Sequence, residues 1–278
     1  MVFQPLQTVS PEELVDFEDQ RNLFEIMLDP SAKKRLMFIQ GSGMCGKTSL
    51  LHMVRFRCER GNIPWCRIDF RGKSYDNPHF TLAQAICDQL GLLPSYMAQA
   101  LQPLSSSKAI GAEASTSIRG DVTDSTVINQ VLMTVNLDHG DLRQAYMIDR
   151  LMRAFTADLT AFAAKKSSVV CLFDTIEDIS AEDEDWLLKA LLSPIAKGEF
   201  KGVMVVAAGR RLPKIEPWQW EDYAHLIEGL PRMSVEDIKS YAQKVGVKIT
   251  EQQAEDYWRD SRGGHPMIMA MKIKPWNL

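Results

Sequence analysis

Eight consecutive residues, Gly41-Ser42-Gly43-Met44-Cys45-Gly46-Lys47-Thr48, have the types and spacing needed to hold a chain of phosphates. Glycines let the backbone curl until successive N–H groups face inward. The lysine can then reach the β- and γ-phosphates, and the threonine hydroxyl can ligate Mg²⁺. Ser49 opens the helix that should follow, whose N-terminal dipole favours an anion. The candidate nucleotide-binding residues are therefore Gly41, Ser42, Gly43, Cys45, Gly46, Lys47, Thr48 and Ser49. Lys47 is also a catalytic candidate, because the phosphates it reaches are the reacting ones.

A glycine-rich turn can match this pattern by accident, so its flanks decide. Arg35-Leu-Met-Phe-Ile-Gln40 reads as a short buried strand, and Ser49 to Arg57 reads as the helix. A strand before and a helix after are what a phosphate-binding loop requires. Cys45 lies inside the loop, where a helix N-terminus can activate a thiol toward oxidation. The plainer reading is that a small side chain fits there.

A loop of this kind needs an acid at the end of a neighbouring strand to hold Mg²⁺, directly or through water. Ser167-Ser-Val-Val-Cys-Leu-Phe-Asp174 is apolar up to its closing acid, so Asp174 joins Thr48 as a metal candidate. Glu177 and Asp178 follow within a turn. One of them could orient or deprotonate an attacking water, with Glu177 the catalytic candidate, or both could simply begin the acidic N-terminus of the next helix. Another apolar run, Gly202 to Gly209, ends in Arg210-Arg211. An arginine at the carboxyl end of a central parallel strand sits where ligands bind, and Arg210 is the preferred γ-phosphate sensor, with Arg211 as a surface cation.

The elements that must position these groups alternate between strand and helix, which predicts a parallel sheet covered on both faces. The strands expected are 36–40, 63–70, 167–174, 202–209 and a short one at 225–230. Ser10-Pro-Glu-Glu13 predicts a helix start, with the helix running on through Phe17 and Leu23. Helices are also expected at 81–90, 142–164, 234–242 and 250–260. The fold class is an α/β, three-layer α/β/α P-loop sandwich with a mostly parallel five-stranded sheet and a small C-terminal helical lid. The domain boundaries are 1–230 for the nucleotide-binding domain and 231–278 for the lid. Within the first, 103–141 reads as a flexible insertion, rich in small polar residues. Its segment Ser125 to Asn136 is apolar and β-branched enough for a strand of a β-hairpin.

The bulk composition narrows the function classes. A net charge of −4 gives no global reason to bind nucleic acid. The basic run Arg55-Phe-Arg57-Cys-Glu-Arg60 fits better as cations at a helix C-terminus. No apolar stretch approaches the roughly 20 residues needed to cross a bilayer. The five cysteines are scattered, with no C-x-x-C pair, so neither a disulfide framework nor a zinc site is indicated. The location expected is the cytoplasm. Trp218-Gln-Trp220 is a candidate apolar patch for a partner, or else core packing.

Taken in order, the motifs resemble those of the STAND-type signalling ATPases, the AAA-like branch of P-loop proteins that includes NACHT and apoptotic-ATPase domains. Phe17-Glu-Asp-Gln-Arg-Asn-Leu23 is similar to the family's F-x-x-R-x-x-x-L segment beside the adenine pocket, with Gln20 in the arginine's place and Arg21 one residue later. Phe173-Asp174-Thr-Ile-Glu177-Asp178 resembles its extended Walker B pattern, and Ala208-Gly-Arg210 its sensor arginine. Gly264-His265-Pro266 resembles the G-x-P motif of the helical lid, which implies that Pro266 packs on the adenine.

The resemblance implies ATP or ADP with Mg²⁺ as ligands, slow hydrolysis, and a switch that controls self-association or engagement of a protein effector. Family members usually carry a winged-helix domain and sensor repeats beyond the lid. This chain stops at Leu278, which implies either a fragment or a minimal ATPase regulated by a separate partner. The alternative is an AAA+-like motor or loader acting on protein or nucleic acid, which shares the extra strand between P-loop and Walker B. A small-molecule P-loop kinase is disfavoured by the long separation of Lys47 from Asp174. A non-hydrolysing scaffold is disfavoured by the intact Lys47, Thr48 and Asp174.

Overall fold

The computed structural model describes residues 17–72, 78–106, 142–212 and 222–273. The helix start at Ser10, the 107–141 part of the insertion and the Trp218–Trp220 patch lie outside them. In chain order the elements are α1 (Glu18–Leu28), β1 (Leu36–Gln40), α2 (Lys47–Arg60), β2 (Trp65–Asp69), α3 (Pro78–Leu90), α4 (Ser95–Ser106), α5 (Leu142–Lys166), β3 (Val169–Asp174), α6 (Ala181–Leu187), α7 (Ser193–Ala196), β4 (Val203–Gly209), β5 (Ala224–Glu228), α8 (Val235–Lys244), α9 (Glu251–Asp260) and α10 (Pro266–Ile273).

The strands form one sheet in the order β2-β3-β4-β1-β5, and every pairing is parallel. The central strands are apolar without interruption because both faces are covered. Leu36 and Phe38, Cys171 and Phe173, and Val205 and Ala207 face one core, under α3 to α6. Met37 and Ile39, Val170 and Leu172, and Met204 and Val206 face the other, under α1 and α2. This is the three-layer sandwich that the alternating pattern predicts. None of the described helices is long and apolar enough to cross a membrane. The cysteines are free thiols; Cys58, Cys66, Cys87 and Cys171 are buried in these cores, and burial pushes the Cys58 and Cys87 thiols up to about 12.

The first helix departs from its predicted course. It begins at Glu18, after Phe17, whose φ of −120° and ψ of 33° are not helical. The buried Phe17 ring is turned instead against the phosphate loop. Its Cζ lies 2.9 Å from the place a Cβ on Gly46 would occupy. Arg35 fixes the other end of α1. Its guanidinium donates to the carbonyls of Met27 at 3.0 Å, Asp29 at 2.9 Å, Pro30 at 2.8 Å and Ala32 at 3.2 Å. These satisfy carbonyls that a helix end leaves without partners, and they tie α1 to the start of β1.

The last three helices have a small core of their own, built on Met233, Ile238, Tyr241, Ala254 and Met269. Ser234 and Thr250 close capping boxes on α8 and α9. Each side chain accepts from the backbone three residues on, while Asp237 or Gln253 reaches back to the cap.

Candidate functional site

The loop from Gly41 to Gly46 leaves β1 at the carboxyl end of the sheet and turns directly into α2. Met44 (φ 63°) and Gly46 (φ 103°) both take the left-handed backbone. Such reversals aim successive N–H groups at one point, which makes an anion-binding concavity. The glycines are needed for space as well. A Cβ on Gly41 would lie 2.8 Å from the Cys45 Sγ, and one on Gly43 would lie 3.4 Å from the Arg210 guanidinium. The half-buried Cys45 side chain therefore packs against Gly41, where only a glycine leaves it room. Lys47 Nζ donates to the carbonyls of Gly41 at 2.8 Å and Ser42 at 2.7 Å, so its charge lies across the cradle. Ser49 stands in the first turn of α2.

Three strand ends surround this loop. Asp174 closes β3, and the Thr48 hydroxyl donates to its Oδ2 at 3.1 Å. A hydroxyl beside a buried carboxylate is an all-oxygen donor set, which suits a hard cation such as Mg²⁺ that takes its remaining ligands from phosphates and water. Among the described residues, no cluster of three or more His, Cys, Asp or Glu side chains forms a metal site made by protein alone. Thr48 and Asp174 are therefore the residues that would hold Mg²⁺ here.

Glu177 and Asp178 lie in a short 3₁₀ turn after β3. Asp178 is exposed, whereas Glu177 is directed at the end of β4. Glu177 Oε2 accepts the Arg210 backbone N–H at 2.8 Å, and Oε1 lies 3.4 Å from Arg210 Nε. Gly209 permits this approach, since a Cβ there would lie 2.7 Å from Glu177 Oε2 and 2.6 Å from Ile176 Cγ2. Arg211 donates to the Glu177 carbonyl at 3.0 Å, while the Arg210 guanidinium overlies Gly43 of the loop. Of the two arginines, Arg210 is the one over the phosphate cradle.

A small open cleft lies beside the loop. Gly41, Ser42 and Cys45 form its floor, Gly229 to Arg232 one wall, and His265 and Pro266 the other. The C-terminal helices are brought there by a close backbone contact. Met233 N–H donates to the Gly264 carbonyl at 2.9 Å. Gly264 has φ 79°, and a Cβ on it would lie 1.9 Å from the Met233 carbonyl oxygen.

One charged contact escapes a reading of the sequence. Arg67, in the middle of β2, donates from Nη2 to Asp174 Oδ2 at 2.6 Å. A basic residue at the centre of a short strand is the signal that could have found it. His52, one turn past Thr48, sits nearby; burial holds its imidazole below the ordinary range, and the Arg67 and Arg55 guanidiniums push the same way. The basic run at the end of α2 is used internally: Arg55 pairs with Glu59 at 3.1 Å and stacks over Trp65, while Arg57 pairs with Glu25.

The chain matches no protein-family model and no curated protein in sequence. Solved structures do resemble it. A Walker-type ATPase of Pyrococcus abyssi aligns over 98% of this chain and 71% of its own, at 15% identity and a TM-score of 0.55. Cdc6p from Pyrobaculum aerophilum aligns over 97% of this chain and 63% of its own, at 12% identity and a TM-score of 0.51. At such identities the likeness is one of fold. The chain has the P-loop α/β fold of that Walker-type ATPase. The likeness does not single out the STAND branch.

Proposed function

We propose that this chain is an AAA-like ATPase that binds ATP or ADP with Mg²⁺ between its parallel sheet and its C-terminal helices. The observation that carries this is the meeting of the Gly41–Thr48 cradle, Asp174, Glu177 and Arg210 at one end of the sheet, beside the cleft shared with Pro266. In this reading the loop amides and Lys47 hold the phosphates, and Thr48 with Asp174 would hold Mg²⁺. The bound ion would offset charge on the β- and γ-phosphates. Glu177 orients the attacking water and accepts its proton, while Arg210 registers the γ-phosphate. Gly41, Ser42 and Cys45 face the bound nucleotide, Gly43, Gly46 and Ser49 shape its cradle, and Pro266 packs on the base.

The main reading of the output is a motor or loader acting on a protein or nucleic-acid partner, supported by the fold shared with the Walker-type ATPase and with Cdc6p. The second reading is a STAND-type switch, in which the nucleotide sets self-association or effector engagement. It is favoured by His265 and Pro266, which line the cleft beside the phosphate loop. In either case the C-terminal helices can respond only by the difference in nucleotide affinity between their two arrangements.

The deciding experiment measures nucleotide content, multiple-turnover hydrolysis and molecular mass for the wild type and Lys47→Ala. Brisk hydrolysis that depends on Lys47 supports the motor or loader. Retained ADP with turnover well below ~1 s⁻¹, and an ATP-driven change in mass, supports the switch. No nucleotide binding, or binding indifferent to Lys47→Ala, overturns both.

A further inference from the structure

Both Asp174 oxygens accept hydrogen bonds. Oδ1 accepts the Thr175 backbone N–H at 2.9 Å, and Thr48 reaches Oδ2 at 3.1 Å and Oδ1 at 3.4 Å. The closest contact is from Arg67, at 2.6 Å on Oδ2. The pair is sequestered: the Asp174 side chain is 3% exposed and that of Arg67 is 25% exposed. The strand register explains the contact. Arg67 stands opposite Leu172, and Asp69 stands opposite Asp174. Because side chains alternate across a strand, Arg67, Asp69, Leu172 and Asp174 all project to the α2 face. Arg67 therefore leans two residues forward along the sheet to reach the carboxylate.

Nothing in folding alone calls for this arrangement. An apolar residue would cover the same face, as Trp65 does two residues earlier, and a buried ion pair recovers its desolvation cost only with good geometry. The Arg67 Nε is buried and has no hydrogen-bond partner. The guanidinium is thus turned to Asp174 at the expense of its Nε donor.

We propose that Arg67 is a resident counter-ion that competes with Mg²⁺ for Asp174 and raises the Mg²⁺ concentration at which the nucleotide site becomes metal-loaded. The inference rests on the nucleotide reading above. The Arg67 guanidinium occupies one lone pair of Oδ2 and offsets the carboxylate's charge, so a divalent cation that ligates this oxygen is disfavoured until Arg67 moves away. Asp69, two residues on along the same face of β2, is the carboxylate to which it can move; its Oδ1 otherwise accepts the Arg71 N–H at 3.1 Å. Arg67 is a positioning residue in this scheme: it acts on the metal through Asp174 and on β2 through Asp69.

The test titrates MgCl₂ into the full chain with bound N-methylanthraniloyl-ADP, starting from EDTA, and reads the Mg²⁺ half-point. Arg67→Gln should lower that half-point about tenfold, the size expected for loss of one charge-assisted competitor. Arg67→Lys keeps a charge but not the fork, and should fall between. Asp69→Asn removes the second berth and should raise the half-point. Arg55→Gln deletes a neighbouring cation that does not touch Asp174, and should shift it by less than about threefold through screened Coulomb repulsion. An equal shift in Arg55→Gln and Arg67→Gln overturns competition in favour of general electrostatics. An unchanged half-point in Arg67→Gln, with ADP still bound, overturns the inference and leaves the nucleotide reading standing. Failure of the wild type to bind the ADP analogue takes down both. Should Arg67→Gln not fold, Asp69→Asn decides alone, and an unchanged or lowered half-point there overturns the proposal.

Discussion

Glu177 holds Arg210 at two points, accepting its backbone N–H at 2.8 Å on one carboxylate oxygen and lying 3.4 Å from its Nε with the other. The candidate base and the candidate sensor are therefore one unit, with the guanidinium lying over Gly43 of the phosphate loop. A γ-phosphate that draws the guanidinium away would also release a Glu177 oxygen. Arg210→Ala keeps the backbone bond and removes only the guanidinium, so ADP affinity should change little. The preference for ATP over ADP should fall about tenfold, the scale of one charge-assisted hydrogen bond. Glu177→Gln should keep both affinities and slow single-turnover hydrolysis about a hundredfold or more. Equal losses of ATP and ADP binding in Arg210→Ala would reject the sensor role.

The attachment of the C-terminal helices makes a second prediction. Gly263 and Gly264 both have φ 79°, yet their surroundings differ. A Cβ on Gly264 would meet the Met233 carbonyl oxygen at 1.9 Å, whereas on Gly263 its nearest neighbour is a Trp258 ring carbon at 3.6 Å. Alanine at 263 should cost only the left-handed backbone strain, about 1–2 kcal/mol. At 264 it must also break the Met233–Gly264 hydrogen bond, which lets Pro266 leave the cleft. Gly264→Ala should weaken ADP binding at least about tenfold more than Gly263→Ala, with the far-UV signal of the sheet domain retained. Equal effects in equilibrium binding would show that the close approach is not what places Pro266.

How legible these relationships are in the sequence depends on how local their causes are. The phosphate loop is legible because a cradle of amides needs glycines, lysine and threonine at fixed spacing within one turn of chain. Strands buried on both faces read as unbroken apolar runs, so β1, β3 and β4 lie within two residues of where the pattern puts them. The order β2-β3-β4-β1-β5 is not legible, because it is set by pairings across the chain. Phe17 reads as helical from its neighbours, yet its backbone is not helical and its ring packs against Gly46, a contact that no local pattern reveals. Arg67 is hidden for the same reason: its partner Asp174 is 107 residues away. The placement of Pro266 beside the loop rests on a motif too short to be read without the family resemblance.

Asp158 supports a prediction about stability rather than chemistry. It lies on α5, buried to 4% exposure, and caps the N-terminus of a different helix, α4. Its carboxylate accepts the Tyr96 N–H at 3.0 Å, the Met97 N–H at 2.9 Å and the Ser95 hydroxyl at 3.1 Å. Helix N-termini leave such donors without partners, and a negative charge there also meets the helix dipole favourably. Asp158→Ala would strand buried N–H groups and should cost about 2–3 kcal/mol in urea unfolding. Asp158→Asn preserves shape but turns an amide donor toward donors, and should recover less than half of that. Full recovery by asparagine would mean that packing, and not charge, holds α4 on α5.

Two half-buried imidazoles tie the stability of the fold to pH. Burial holds His225 below its ordinary range, with Lys34 adding to the effect, and His225 Nε2 is buried without a hydrogen-bond partner. His52 is held down mainly by burial as well. In the unfolded chain both imidazoles titrate near ~6.5. Above that pH they are neutral in both states and leave stability untouched. As the pH falls below it, the unfolded chain takes up protons that the folded chain resists, so stability must drop. The loss continues until the folded imidazoles themselves protonate, and each can contribute at most about 1.4 kcal/mol per pH unit. Urea midpoints should therefore decline between pH 7 and pH 5.5, before most carboxylates begin to titrate. His225→Gln should flatten part of that decline and leave the part carried by His52. A wild-type midpoint that is level across this window, or that rises toward pH 5.5, would mean that both imidazoles reach solvent readily enough to charge in the folded state.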